Sequence, residues 1–499
     1  MAESGRLGLY LPILVPLATA VAAAFLGRLP RTRRAISVAG SAVLLACGVW
    51  LVIQVRQEGV IASNAGSWPA PFGITLVADL LSALLVVVAG GIGLAVTIFS
   101  VTGIDPLRER GGFHSLVHIL LMGVCGAFLT GDLFNLYVWF EVMLVSSFIL
   151  MALGGTRRQM SASIHYVTLN LLASALFLAA TGILYGIVGS LNMADVSVHM
   201  RDLGGTPYPY ILLALFLVAF GIKAAAFPLF FWLPASYHAP PIAVTTLFSA
   251  LLTKVGVYAI IRVTTLVFAA QADAVRPLLL AVAGLTMLTG VLGAIAQGEM
   301  RRLLAFHIIS QIGYLLMGAG LGSPLALAAT VFFFVHVIAA KSALFMVTGI
   351  VRSLRRTSEL AALGGLARSS PLLAGLFLVP ALSLAGLPPL SGFWAKFAMV
   401  KAGLDAGSIP IVIVALVVSL LTLFSMTKIW AEAFWKPAPG GPVQDALGAP
   451  RAALVVPALA LGAVTVLLGL GAEPFFALSL RAAEQLLDPA GYVSVVLGP

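Results

Sequence analysis

Fourteen apolar runs, each of about eighteen residues or more and separated by short polar loops, leave this chain few folds to choose from. Inside hydrocarbon every backbone N–H and C=O must find a partner within the protein, so each run has to become a helix. The limits read from the sequence are 8–27, 35–55, 75–101, 113–130, 132–153, 162–188, 208–236, 240–263, 274–297, 302–321, 324–350, 370–401, 408–434 and 451–471. Only 9% of the 499 residues are charged, too few to clothe a soluble domain of any size. The expected fold class is an all-α integral membrane protein of about fourteen transmembrane helices.

Loop charges set the orientation, because short inner loops collect Lys and Arg. With the N-terminus outside, the inner loops gather sixteen basic residues, among them Arg28, Arg33, Arg34, Arg157, Arg158, Arg301, Arg302 and Arg451. The outer side holds seven: Arg6, Arg56, Arg201, Arg262, Arg276, Lys401 and Arg481. Both termini are therefore expected outside. The net charge of +10 reads as a topology signal, and no nucleic-acid partner is expected. The first run lacks a basic n-region and is followed by "RLPRTRR", which predicts a retained helix. Cys47 and Cys125 stand in apolar runs without a CxxC or a His/Cys cluster, so neither metal nor cofactor is expected. Walker loops, nucleophile elbows and HExxH motifs are absent from the sequence, which argues against an enzyme.

Five of the 28 basic residues remain inside spans: Lys223, Lys254, Lys341, Lys396 and Lys428. An ionised side chain at mid-bilayer costs about 2.5 to 3.5 kcal/mol on insertion scales, so such groups face a bundle interior and mark ion pathways. Lys428 is the exception, expected to snorkel near the inner end of its span with Glu432 one turn on. One carboxylate, Glu141, sits within "GDLFNLYVWFEVMLVSSFIL". Lys223 stands in "FGIKAAAFPLFFWLPAS" and Lys396 in "LSLAGLPPLSGFWAKF", where Pro228, Pro234, Pro388 and Pro389 remove backbone donors and should interrupt the helix. Two interrupted spans in corresponding places are a sequence pointer to a transport site.

Those places do correspond. Lys223 and Lys396 are 173 positions apart, while "TLFSALLTK" ends at Lys254 and "TLFSMTK" at Lys428, 174 positions on. "SALF" recurs at 174–177 and 342–345. The matched spans are five helices apart, an odd number, which predicts two inverted five-helix repeats with two discontinuous helices. The expected division is a three-helix segment at 1–112, repeats at 113–266 and 267–435, and a last helix with a short tail at 436–499. The second repeat has no acidic residue answering to Glu141; His307 and Gln311 are the nearest polar side chains.

His336 and Lys341 share one span five residues apart, about 140° around the helix, and could still bridge through water. His307 and His336 are candidates for proton exchange. Asp132 is expected to cap its helix, and Asp79 to be interfacial. His114, His118, His165, His199 and His238 are read as structural or solvated. The tail, with "PFFALSLRAAEQLL", is expected to form a surface helix contacting a partner.

Taken with "TGDLFNLYVWFEVMLVSSFIL", "HIISQIGYLLMGAG" and "LAGLPPLSGFWAKF", the residues Glu141, Lys223, Lys254 and Lys396 give the chain a family likeness. It resembles the antiporter-like subunits shared by respiratory complex I, membrane-bound hydrogenases and Mrp-type multisubunit cation/proton antiporters, and most of all the D-type subunits of the Mrp group. That resemblance implies Glu141 paired with Lys223, Lys254 as central relay and Lys396 on the second broken span, with His336 and Lys341 joining through water. It implies protons moving along the axis while a monovalent cation, sodium first among them, moves the other way. It also implies a bacterial cell membrane location and, as partners, the A, B, C, E, F and G types of subunit in a hetero-oligomer. A proton-pumping subunit of complex I or a hydrogenase is the alternative, and a stand-alone secondary carrier a remoter one. One charge crossing 100 mV carries about 2.3 kcal/mol, enough to couple a single opening ion pair to a gradient.

Overall fold

The computed structural model describes residues 8–26, 29–439 and 452–498. Arg6, Arg28 and Arg451, used in the charge count, lie outside the described residues. Among the described residues, ten helices are long and apolar enough to cross a membrane, and four shorter apolar ones complete the expected set. In chain order they are α1 Leu11–Phe25, α2 Pro30–Glu58, α3 Leu80–Gly103, α4 Phe113–Leu129, α5 Leu133–Ala152, α6 Arg157–Val188 and α7 Tyr208–Ala224. There follow α8 Ile242–Arg262, α9 Ala272–Ile295, α10 Met300–Leu321, α11 Pro324–Arg355, α12 Pro371–Ala385, α13 Ile409–Ile429 and α14 Ala452–Leu470. Several overrun their expected limits at arginine-bearing ends, as α6 does at Arg157 and α11 at Arg355. Arg is a good helix former and its long stem can leave the apolar core, so the helix continues past the hydrophobic run.

The helices do not share burial equally. The apolar stretch of α8 is buried throughout and those of α10 and α11 are 94% buried, while α2, α6 and α14 bury 33%. Three helices therefore form the centre, and the others present a face outward. Both α7 and α12 neighbour this centre, through α8 and α11 respectively.

Both expected breaks occur. The α7 span stops at Ala225, which takes a left-handed φ of 60°, and resumes only as the short helix Trp232–Ser236. The α12 span stops at Gly386, φ 93°, and resumes as Ser391–Asp405. Pro228, Pro388 and Pro389 lie in the breaks. Pro234 does not: it sits inside the short resuming helix, where one helical turn needs few internal donors.

One element departs from an all-helical reading. Strands β1 Ile61–Asn64 and β2 Thr75–Ala78 form an antiparallel hairpin between α2 and α3, and bridges Leu76 to Thr130 and Asp132 to Asn192 extend its contacts. The tail forms helices Ala472–Leu486 and Pro489–Leu497. The first packs on α11 of its own chain, with Phe475 and Phe476 against Phe332, and buries Ser479, Ala482, Ala483 and Leu486, so the face expected to await a partner is partly spent internally.

Candidate proton pathway

The carbonyls left open by the α7 break are closed by a neutral group. Trp232 Nε1 donates to Ile222 O at 2.9 Å, and Phe227 N donates to Thr286 Oγ1 on α9 at 2.9 Å. Lys223, in the last turn of α7, is thereby freed from capping duty. Its Nζ donates to Ser174 Oγ on α6 at 2.8 Å and lies 5.2 Å from the Phe140 ring centroid. Beside it is a cavity of about 20 Å³ lined by Phe140, Tyr166, Asn170 and Trp232 among others, room for about one water.

Glu141, on α5, is within electrostatic reach of Lys223, but no ion pair joins them among the described residues. Its Oε1 is buried without a hydrogen-bond partner. The implied pair is thus apart in this conformation, with the ammonium resting on one hydroxyl and Glu141 Oε1 unpartnered.

The α12 break is closed by a cation. Lys396 reaches back across it and donates to Leu384 O at 2.9 Å, Ala385 O at 3.2 Å and Ser419 Oγ at 3.0 Å, with Tyr314 facing it at 4.9 Å. A positive charge at these last carbonyls is favoured by the helix dipole. His336 Nδ1 meets Ser391 Oγ at 2.9 Å at the start of the resuming helix. Gly392 is required there, because an added Cβ would lie 1.7 Å from Ser383 O.

Lys254 and Lys341 stand between the breaks on central helices, 1% and 0% exposed. Lys254 Nζ contacts Ser249 O at 2.5 Å on its own helix, and Lys341 Nζ donates to Leu304 O on α10 at 2.8 Å. The two are within electrostatic reach of one another, His307 is within reach of both Lys341 and Lys396, and His336 of Lys396. His307 Nε2 meets Ser425 Oγ at 2.5 Å. These interactions fall into two groups, Glu141 with Lys223 and Lys254 with Lys341, His307, Lys396 and His336, carried on helices α7 and α8 that pack together.

On the central helices α8, α10 and α11, Thr253 Oγ1, His307 Nδ1, Ser310 Oγ, both amide atoms of Gln311, Ser342 Oγ and His336 Nε2 are buried without partners. Each such group costs about 1–3 kcal/mol if left dry, so the centre favours water. The hydroxyls gave no signal in the sequence, because Ser and Thr in helices normally bond their own i−4 carbonyl. Ser174 and Ser342, the first residues of the two "SALF" copies, belong to this lining.

Other expectations divide. Asp132 caps α5 as expected, accepting from Asn135 N at 2.7 Å. Asp79 is not interfacial: it caps α3 and forms a buried ion pair with Arg262 at 2.7 Å, a partner 183 positions away. Lys428 does not engage Glu432. It donates to Ile295 O and Gln297 O at the end of α9, both at 2.9 Å, while Glu432 pairs with Lys436 at 2.6 Å. His118 bonds Ser37 and His114 lies 3.4 Å from Glu109, both structural. Among the described residues no three His, Cys, Asp or Glu side chains converge as a metal site would need.

Buried central helices that carry ionisable side chains, beside two broken helices, are the architecture of polytopic membrane transport proteins. The chain belongs to the NADH:quinone oxidoreductase/Mrp antiporter transmembrane family, whose model matches residues 130–422, a range that includes Glu141, Lys223, Lys254, His307, His336, Lys341 and Lys396. It is 43% identical over 487 residues to the D-type subunit of the Na(+)/H(+) antiporter of Alkalihalophilus pseudofirmus, covering 98% of each chain. It is 40% identical over 490 residues to the corresponding antiporter chain of Bacillus subtilis, again over 98% of each. A chain of the Mrp complex from Dietzia sp. superposes with a TM-score of 0.91 at 36% identity, over 99% of this chain and 100% of that one.

Proposed function

We propose that this chain is the proton-translocating subunit of a multisubunit sodium/proton antiporter of the bacterial cell membrane, working beside partner subunits of the Mrp type, with both termini outside. The likeness to the D-type antiporter chains of two bacilli supports the assignment. What supports the mechanism is the burial of Lys223, Lys254, Lys341 and Lys396, which we read with Glu141, His307 and His336 as one file, and the unpartnered hydroxyl, amide and imidazole groups on α8, α10 and α11.

Protons enter at the Glu141 and Lys223 pair and pass through Lys254, Lys341 and His307 to Lys396 and His336. Lys223 is the movable member. Leaving Ser174 for Glu141 costs it one hydrogen bond, net about 1 kcal/mol, and gains an ion pair in a poorly screened interior. The closed pair holds a proton on Lys223; the open one leaves the ammonium uncompensated and ready to pass its proton toward Lys254. Lys396, held by three acceptors, is the fixed end. The units 113–266 and 267–435 act as inverted repeats, each with a broken helix as its fourth member, and the second has replaced the carboxylate control with a capped lysine.

The test is cation/proton exchange in everted vesicles carrying the whole complex. Glu141→Gln and Lys254→Met abolish exchange while the subunit still assembles, and Lys428→Met, which only loses a helix cap, retains most of it. Full exchange by assembled Glu141→Gln refutes the reading.

A further inference from the structure

One buried charge pair lies off the file and has no place in the mechanism above. Lys254, Tyr258 and Arg262 follow one another at intervals of four on α8 and so share one face, about 6 Å apart along the axis. Tyr258 donates its hydroxyl proton to Phe128 O at 2.7 Å and accepts from Arg262 Nη2 at 3.0 Å. The same Nη2 pairs with Asp79 at 2.7 Å. The guanidinium lies 5.1 Å from the Tyr258 ring centroid and 5.7 Å from that of Tyr492, a residue of the last helix. Gln485, on the helix before it, accepts from Leu80 N at 2.8 Å, next to Asp79. Asp79, Tyr258, Arg262 and Tyr492 are each 5% exposed or less.

We infer that Tyr258, Arg262 and Asp79 form a proton barrier that closes the end of the Lys254 compartment nearest the β1–β2 hairpin. The inference rests on the proton-path reading of the file. A phenol whose only proton is committed to a backbone carbonyl does not pass one on. A guanidinium keeps its charge and has donors but no acceptor, so it can neither receive nor relay a proton, and its charge repels hydronium. Asp79 makes that charge tolerable in the interior, and the tail ring of Tyr492 covers its other side. A proton on Lys254 is thereby denied the short way out along α8 and is turned sideways to Lys341. This is the condition for coupled exchange rather than leak.

The experiment measures passive collapse of an imposed pH gradient, with no cation gradient, in proteoliposomes of the whole complex. Leak is read separately from exchange, so loss of exchange without leak counts against the file and not for the barrier. Arg262→Met and Arg262→Lys should each raise the leak about threefold or more, the lysine because it can release and regain a proton, while Tyr258→Phe, whose ring passes no proton either, stays near the parent. The exchanged pair, Asp79→Arg with Arg262→Asp, restores the ion pair but sets a carboxylate beside Tyr258; it should leak. An assembled exchanged pair as tight as the parent overturns the inference and makes the pair a structural clasp. If Arg262→Met and the exchanged pair fail to assemble, Arg262→Lys decides: parent-like leak in that conservative variant overturns the barrier.

Discussion

Gly256 sets the distance between the two helices that carry Lys223 and Lys254. A Cβ built there would lie 2.6 Å from Ala224 N and 2.9 Å from both Ala224 Cα and Lys223 C. These are backbone atoms at the end of α7, beside the break, and cannot rotate aside. Restoring ordinary contact, from 2.6 Å to at least 3.4 Å, moves the end of α7 by nearly 1 Å away from α8. Overpacking of this kind costs about 1–3 kcal/mol, of which the better helix propensity of Ala returns up to about 1 kcal/mol. Gly256→Ala should therefore fold and assemble. Its transport should suffer more than its stability, because a misplacement of about 1 Å between reacting groups can cost 10²-fold in rate. The expected result is a fall of roughly ten- to a hundredfold in cation/proton exchange in everted vesicles, with assembly preserved. Gly221→Ala is the control: it lies on α7 two residues before Lys223, yet an added Cβ meets nothing within 4 Å. Parent-like exchange by assembled Gly256→Ala, or an equal loss in Gly221→Ala, refutes the argument that this contact spaces the relay.

Two further outcomes test the ends of the file and its inner support. Lys396→Arg keeps a cation on the Leu384 and Ala385 carbonyls but holds its proton permanently, so exchange should be lost in a complex of parental thermal stability. Lys396→Met also strips Leu384 O of its partner, about 1–3 kcal/mol, and should lower the melting temperature as well; equal melting of the two variants refutes the capping role. Glu109, on the connecting helix Pro106–Arg110, tests pH dependence. Burial pushes its carboxyl up, but the hydrogen bonds and charge of Arg34, with His114 behind them, leave it below its ordinary value. A depressed carboxyl contributes stability above its unfolded value, about 4.3, that is lost as pH falls through the folded one. The melting difference between the parent and Glu109→Gln should thus be full at pH 7 and shrink below about pH 4; a difference constant with pH refutes the linkage.

The fold was largely legible because its solvent is so restrictive. Apolar run length alone placed the spans, and clusters of Pro and Gly placed both breaks, whereas single prolines such as Pro16 and Pro380 are carried inside helices. Lys223, Lys254, Lys341 and Lys396 stood out because a charge in an apolar run is costly wherever it ends up. What misled about the charges was the partner. Lys428 repeats Lys254 at a matching offset, yet one caps α9 and the other faces the core, because α13 lies at the rim and α8 at the centre. Asp79 looked interfacial because its counter-charge, Arg262, is 183 positions away.

The sequence by itself determined which segments are helices, where two of them must fail and which charges have to be sheltered, all consequences of backbone and side-chain solvation acting locally. Only the tertiary structure decided that Trp232 closes one break and Lys396 the other, that Lys223 rests on Ser174 apart from Glu141, and that Gly256 lets two lysine-bearing helices touch. Those depend on which faces of distant helices meet. Helical periodicity defines a face but does not say what lies against it.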